Sequence, residues 1–178
     1  MLRGIDPVLS PDLLKALCAM GHGDEIVFTD AFFPAEKLAR EGGATLLRAD
    51  GLGVPALLKG LAPLFDLDRY STPVVMMAAV PGDVLNPETE KAYREALGHW
   101  GPVARLTRED FYDRAKKAFA IVATSETMQY GNVILVKGNF TCAGHSTQSS
   151  SRRRMRPRPQ VMKPRWRLCA GTLHPKYW

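Results

Sequence analysis

The chain has 178 residues, of which 46% are hydrophobic and 24% charged, and its formal net charge is +6 at pH 7. It is long enough for one domain with a sizeable core, but no apolar run approaches the ~20 residues that cross a bilayer, and the first residues lack the apolar segment of a signal peptide. The three cysteines, Cys18, Cys142 and Cys169, form no CxxC pair and support neither a disulfide framework nor a zinc site. Because the sequence shows no spanning segment and no signal peptide, we expect a cytoplasmic protein.

The positive charge is concentrated at the C-terminal end. Residues 139–178 contain nine Lys or Arg and no Asp or Glu, which leaves a net charge of −3 on residues 1–138. This change in composition predicts one folded domain over 1–138 and a basic, low-complexity tail over 139–178 that we expect to be disordered. One interpretation of the tail is a frameshift or alternative exon; the other is an arm that binds nucleic acid or an acidic surface through its arginines.

Helices and strands alternate along the first 138 residues. Ser10 and Pro11 have the properties of an N-cap and a first-turn proline, and they predict a helix that Gly21 closes. A β-branched and aromatic run predicts a strand from Glu25 to Asp30. The later predicted elements are helices over 33–43, 54–65, 87–100 and 109–119 and strands over 44–50, 73–80, 104–107, 120–124 and 132–137. Because the strand over 73–80 is apolar on both faces, the pattern predicts an α/β fold with a layered, mostly parallel sheet covered by helices.

His22 lies between Gly21 and Gly23, at the junction of the first predicted helix and strand. The glycines allow a sharp turn that exposes the ring to a cleft, and a histidine side chain can give or take a proton near neutral pH. Asp24 or Asp30 would then orient the ring or bind a substrate hydroxyl. The alternative interpretation is a helix end whose histidine only interacts with the helix dipole.

Tyr130, Gly131 and Asn132 lie between the last two predicted strands. They are typical of a turn in which glycine and asparagine tolerate positive φ, yet they also offer a phenol, an approachable backbone and an amide, which bind sugar hydroxyls well. Arg108, at the start of a predicted helix, is interpreted either as a solvated residue or as a ligand of hydroxyls or carboxylates.

Together these groups suit a polyol substrate. The sequence shows no activated Ser or Cys nucleophile, no Walker loop, no GxGxxG after a strand and no HExxH or paired Cys/His spacing. We therefore predict proton transfer with no cofactor and no metal.

Three motifs occur along the chain in this order: MGHGDEIVFTDA, RADGLG and YGN. With the segments around them, from Leu2 to Gly138, they resemble the fucose mutarotase branch of the RbsD/FucU sugar mutarotase (pyranase) family. The resemblance implies an RbsD-like single domain and a cofactor-independent isomerase that interconverts the α and β anomers of L-fucose. It also implies a ring-like homo-oligomer with the site near a subunit boundary, and no membrane partner.

The resemblance assigns roles to particular residues. His22 matches the proton donor of the family, and the sugar contacts fall on Asp30, Arg108, Tyr130, Gly131 and Asn132. Arg105 is an alternative to Arg108 in the alignment, and the second acid/base is either Asp30 or Tyr130.

Two alternatives accompany this interpretation. One is a D-ribose pyranase, although the turn of that branch more often reads YAN; the other is a sugar sensor on the same fold that binds without catalysis. The tail has no counterpart in the family pattern.

Overall fold

A computed structural model describes residues 2–98 and 100–139 of the chain. Within these residues, no helix is long and apolar enough to span a bilayer. The predictions about the basic tail concern residues that, apart from Asn139, lie outside the described part. The cytoplasmic location stays a prediction.

Within residues 2–98 and 100–139, five α-helices and six strands alternate up to the last two strands, as the sequence predicts. The helices are α1 (Pro11–Ala19), α2 (Ala35–Gly42), α3 (Val54–Leu61), α4 (Pro87–Leu97) and α5 (Arg108–Lys116). The strands are β1 (Glu25–Asp30), β2 (Thr45–Ala49), β3 (Val74–Met77), β4 (Val103–Leu106), β5 (Ala120–Glu126) and β6 (Val133–Val136).

The strands form one six-stranded sheet in the order β2-β5-β1-β6-β3-β4. β6 is antiparallel to both of its neighbours, β1 and β3, whereas the other three pairings are parallel. The carboxyl ends of β1 to β5 and the start of β6 therefore meet at one edge of the sheet, here called the carboxyl edge. The opposite edge, here called the amino edge, holds the start of β1 and the end of β6. The predicted α/β fold with a mostly parallel sheet is confirmed.

Helices cover both faces of the sheet and give two apolar cores. On one face, α1, α3 and α4 pack through buried side chains such as Leu13, Leu57 and Tyr93. On the other face, α2 and α5 pack through residues such as Leu38 and Phe111. Burial on both faces explains why the central strands are apolar without alternation.

Some element ends differ from the sequence predictions. Gly21 does not close α1, because the helix ends at Ala19 and its C-cap is Met20, whose backbone is extended. The helix predicted over 54–65 stops at Leu61 and continues as a 3₁₀ turn that contains Pro63, a residue that cannot donate an amide hydrogen bond. β5 continues to Glu126, two residues beyond the predicted end.

Candidate active site

An open cavity of about 590 Å³ lies at the carboxyl edge of the sheet. Its lining comes from the end of β1, the start of α5 and the loops before β6 and after β3. Four of the sequence-predicted site residues line it together: Asp30, Arg108, Tyr130 and Asn132. Ligands of open α/β sheets characteristically bind outside the carboxyl ends of the strands, so this cavity is the candidate site.

Asp30 is the acidic group of the cavity. It is the last residue of β1, is only 8% exposed, and follows an irregularity in the pairing of β1 with β5, which re-aims the end of the strand. Its carboxylate accepts hydrogen bonds from the Phe32 amide (3.1 Å) and from Asn132 Nδ2 (2.7 Å). Burial raises the pKa of the Asp30 carboxyl although these hydrogen bonds act in the opposite direction.

Tyr130 lies in the left-handed region of backbone conformation, at φ 58°. The sequence placed this conformation on glycine or asparagine instead. The phenol donates to Asp83 Oδ2 (2.6 Å) and accepts from the Val80 amide (3.3 Å). The hydrogen bond to Asp83 raises the pKa of Tyr130, so its hydroxyl stays protonated at neutral pH. Tyr130 is therefore poorly equipped to act as a base, and its one hydrogen is already donated to Asp83.

Gly131 supports the cavity without being part of its lining. Its amide donates to the Met128 carbonyl (3.0 Å), and its carbonyl accepts from the buried hydroxyl of Tyr93 (2.7 Å). A Cβ at this position would lie 2.7 Å from the Met128 oxygen, so no side chain fits. The sugar contact predicted for Gly131 thus falls on a residue whose two backbone groups are already bonded within the protein.

The structure separates the two arginines that the sequence left as alternatives. Arg108 lines the cavity from the first turn of α5, and among the residues that the structure describes it pairs with its exposed neighbour Glu109 alone. Arg105 instead donates to Glu90 (2.5 Å) and to the Met77 carbonyl (3.0 Å), and it does not line the cavity. Arg108 is the arginine placed to meet a ligand there.

His22 lies at the other edge of the sheet. It precedes β1, whereas Asp30 ends that strand, and the six residues of β1 alone span about 17 Å. A monosaccharide that touched Asp30 would not reach His22 of the same chain. The structure therefore does not bring the predicted proton donor together with the other predicted site residues within one copy.

His22 has a carboxylate partner of its own. Its Nε2 lies 3.1 Å from Oδ1 of the buried Asp68, which also accepts from Ser71 Oγ (2.5 Å) and the Tyr70 amide (3.2 Å). The hydrogen bonds from Ser71 and His22 hold the pKa of Asp68 well below its usual range. An ionised carboxylate only accepts hydrogen bonds, so Nε2 carries the hydrogen in this pair and Nδ1 remains for a ligand.

Sequence reasoning missed three residues that shape the site: Asp68, Asp83 and Tyr93. Asp68 and Asp83 lie in loops of ordinary composition. Each is more than 40 residues away in sequence from the site residue that it contacts, His22 or Tyr130. Tyr93 lies in α4, 38 residues before the glycine that it supports. A signal was available only for Tyr93, because a completely buried tyrosine usually needs a partner for its hydroxyl.

Among residues 2–98 and 100–139, no cluster of three or more His, Cys, Asp or Glu side chains is arranged to hold a metal ion. The reaction without a cofactor or metal stays a prediction.

The cavity combines a buried carboxylate, an amide, a phenol and a guanidinium around an open space. These groups have the chemistry to bind the hydroxyls of a small polyhydroxylated molecule, and they lie on an α/β fold with one antiparallel strand inside a parallel sheet.

Comparisons with known proteins agree with this class. Residues 3–140 match the model of the RbsD / FucU transport protein family. A fucose mutarotase from Streptococcus pneumoniae, solved in complex with L-fucose, is 44% identical with a TM-score of 0.72, and the alignment covers 79% of this chain and all of the other.

Two further solved structures extend the comparison. FucU from Bifidobacterium longum is 37% identical with a TM-score of 0.70, over 78% of this chain and all of that one. RbsD from Bacillus subtilis, complexed with D-ribose, is 25% identical with a TM-score of 0.60, over 75% of this chain and 95% of that one. The chain belongs to the RbsD / FucU family, and the predicted resemblance is confirmed.

Proposed function

We propose that the protein is a mutarotase that interconverts the α and β anomers of L-fucose. The observation that carries the proposal is the cavity at the carboxyl edge, where Asp30, Arg108, Tyr130 and Asn132 converge. The fucose branch is favoured over the ribose branch, because identity is 44% and 37% to the two fucose-branch structures and 25% to the ribose-bound one.

The reaction needs two proton transfers at the pyranose ring. Asp30 takes the proton of the anomeric hydroxyl, the bond between C1 and the ring oxygen breaks, and a histidine donates a proton to that oxygen. The open aldehyde rotates about C1–C2, and the reverse transfers close the ring on the other face. General acid/base groups contribute about 10²- to 10⁴-fold to such steps.

Asp30 is better suited than Tyr130 to the role of base. Its buried carboxyl has a raised pKa, which brings it closer to the operating pH, whereas the Tyr130 hydroxyl already donates its hydrogen to Asp83. Arg108 and Asn132 bind the remaining hydroxyls, and the phenol oxygen of Tyr130 accepts a hydrogen bond from one of them.

The histidine that completes the site comes from a second copy of the chain. His22 and Asp30 lie at opposite edges of the sheet, so two copies must meet, with the amino edge of one against the carboxyl edge of the other. Such a head-to-tail contact generates a ring when its rotation closes. Asp68 fixes the histidine ring through Nε2, so the proton that reaches the ring oxygen of the sugar comes from Nδ1 of the doubly protonated imidazolium.

Both edges carry exposed apolar side chains that suit this contact. Phe32 is 79% exposed and lines the cavity, and nearby Val84 is 87% exposed. At the amino edge, Tyr70 is 84% exposed and stands edge-on to His22, with ring centroids 5.8 Å apart. A contact between these two edges would bury both groups of side chains against another copy.

Saturation-transfer NMR of L-fucose tests the function. We expect the full chain to accelerate exchange between the anomers, with a smaller effect on D-ribose. His22→Gln should remove the acceleration with the fold intact, whereas the same substitution at His145 in the tail should not. Fucose binding without faster exchange would contradict the proposal and leave a sugar sensor.

A further inference from the structure

Lys137 holds the segment that carries His22 at both of its ends. It follows β6 at the amino edge, and its ammonium group donates to the carbonyls of Leu17 and Met20, each at 2.7 Å. Its backbone amide donates to the Asp24 carbonyl (2.8 Å), and its carbonyl accepts from the Gly23 amide (2.8 Å). Four hydrogen bonds from one residue therefore enclose residues 17–24.

The ammonium group satisfies carbonyls at the end of α1, which at many helix ends are satisfied through a left-handed glycine. The last carbonyls of a helix have no partner within the helix, and α1 has no basic residue in its last turn. Because Met20 is extended, the chain leaves α1 without a left-handed cap. The cation near these carbonyls is instead the Lys137 ammonium group, just after β6 and about 120 residues further along the chain.

The same strand end also holds the partner of His22. The Asp68 amide donates to the Val136 carbonyl (3.0 Å), and the Gly138 amide donates to the Asp66 carbonyl (2.7 Å). A Cβ on Gly138 would collide with the Leu67 carbonyl, so only glycine allows this approach. The end of β6 thus fixes the loops of His22 and Asp68 relative to one another, with His22 Nε2 3.1 Å from Asp68 Oδ1.

We infer that Lys137 is a positioning residue for the proton donor His22, acting through the end of α1. The inference rests on the proposed function. It predicts an effect on the chemical step and not on sugar affinity, because the sugar-binding groups lie at the carboxyl edge of the same chain, at the other end of β6. Misplacement of a catalytic group by about 1 Å can lower a rate by about 10²-fold.

The test compares Lys137→Met with Lys137→Arg in the full chain. For Lys137→Met we expect kcat for anomer exchange to fall by at least about tenfold with KM within about twofold of the wild-type value. Lys137→Arg should restore most of the rate, since a guanidinium can also donate to both carbonyls.

The matched control is Lys116→Met. Lys116 is another half-buried lysine with two side-chain partners, Glu41 and Asp113, and it does not contact the His22 segment. It should lose stability without a comparable loss of kcat. An unchanged kcat in Lys137→Met, a change confined to KM, or an equal loss in Lys116→Met would each overturn the inference.

Hydrogen–deuterium exchange separates this inference from the proposed function. If the wild-type protein does not accelerate anomer exchange, the proposed function fails, and the inference is then decided by the amides of residues 20–24. These should exchange faster in Lys137→Met than in the wild-type protein or in Lys116→Met. Equal protection in all three proteins would show that Lys137 does not hold the segment.

Discussion

Asp30 and Asn132 form a reciprocal pair that joins the end of β1 to the start of β6. The Asp30 amide donates to Asn132 Oδ1 (2.9 Å), and Asn132 Nδ2 donates to Asp30 Oδ2 (2.7 Å). The backbone donor fixes which way the Asn132 amide points, because only its oxygen can accept. Asn132 is therefore both part of the cavity lining and the group that orients the proposed base.

Asn132→Asp should destabilise the protein at neutral pH. The change replaces a donor to Asp30 with a second buried carboxylate, and loss of a buried hydrogen bond costs about 1–3 kcal/mol. The like charge raises the folded-state pKa of the pair above its unfolded value, so the destabilisation is present at neutral pH and is relieved as pH falls through the raised pKa.

Urea unfolding at pH 7 and pH 5 measures this effect. The matched control is Asn139→Asp, the same change at an exposed position beyond β6, which should alter stability little. Equal free energies of unfolding for Asn132→Asp and the wild-type protein at pH 7 would contradict the role of the pair.

The pH dependence of activity should reflect the raised pKa of Asp30. Protonation removes the base, so kcat/KM should fall as pH decreases through the folded-state pKa. Burial raises that pKa, so the acid limb should have its midpoint above the ordinary aspartate value of about 3.9. Anomer-exchange rates from pH 3 to 8, corrected for the spontaneous reaction, measure the midpoint; a value at or below the ordinary one argues against Asp30 as base.

Asp68→Asn should slow the reaction by about tenfold or more, because an amide at this position no longer fixes which nitrogen of His22 carries the hydrogen. It should also change the acid stability. The lowered pKa of Asp68 contributes stability that is present above about pH 3.9 and is lost as pH falls towards the folded-state pKa.

The difference in unfolding free energy between the wild-type protein and Asp68→Asn should therefore be larger at pH 7 than at pH 3. Urea titrations at the two pH values, combined with the NMR rate assay, check both effects. A difference that grows on acidification would show that the hydrogen bonds accepted by Asp68 are not the source.

Tyr93→Phe should weaken sugar binding from a distance. It removes the donor to the Gly131 carbonyl, and a buried acceptor left without a partner costs about 1–3 kcal/mol. The turn that presents Tyr130 and Asn132 then loosens, so KM for L-fucose should rise more than kcat falls. Full kinetics in parallel with thermal unfolding test this; a stability loss with unchanged KM would make Tyr93 a core residue only.

The alternation of elements was predictable from local signals. Ser10 with Pro11 and Asn86 with Pro87 begin α1 and α4 as N-cap and first-turn residues, and the buried strands are unbroken apolar runs. The ends were less predictable where a distant residue decides them. Met20 is the C-cap of α1, and its carbonyl accepts a hydrogen bond from Lys137. No sequence pattern near Met20 predicts this contact.

The site was predictable as a set of residues but not as an arrangement. Asp30, Arg108, Tyr130 and Asn132 converge because the carboxyl ends of the strands meet at one edge. His22 was grouped with them by its chemistry and then by resemblance, although the length of the strand between His22 and Asp30 already implied their separation. The left-handed conformation lies at Tyr130, whereas Gly131 occupies a position where no Cβ fits.

Mixing two inactive variants tests the divided site most directly. His22→Gln and Asp30→Asn should each lack anomer-exchange activity alone. After dissociation and joint reassembly, confirmed by native mass spectrometry, random pairing of two copies at each head-to-tail contact should restore about one quarter of the sites and of the wild-type activity. A mixed assembly with no activity above that of either variant would contradict a site that takes His22 from one copy and Asp30 from the other.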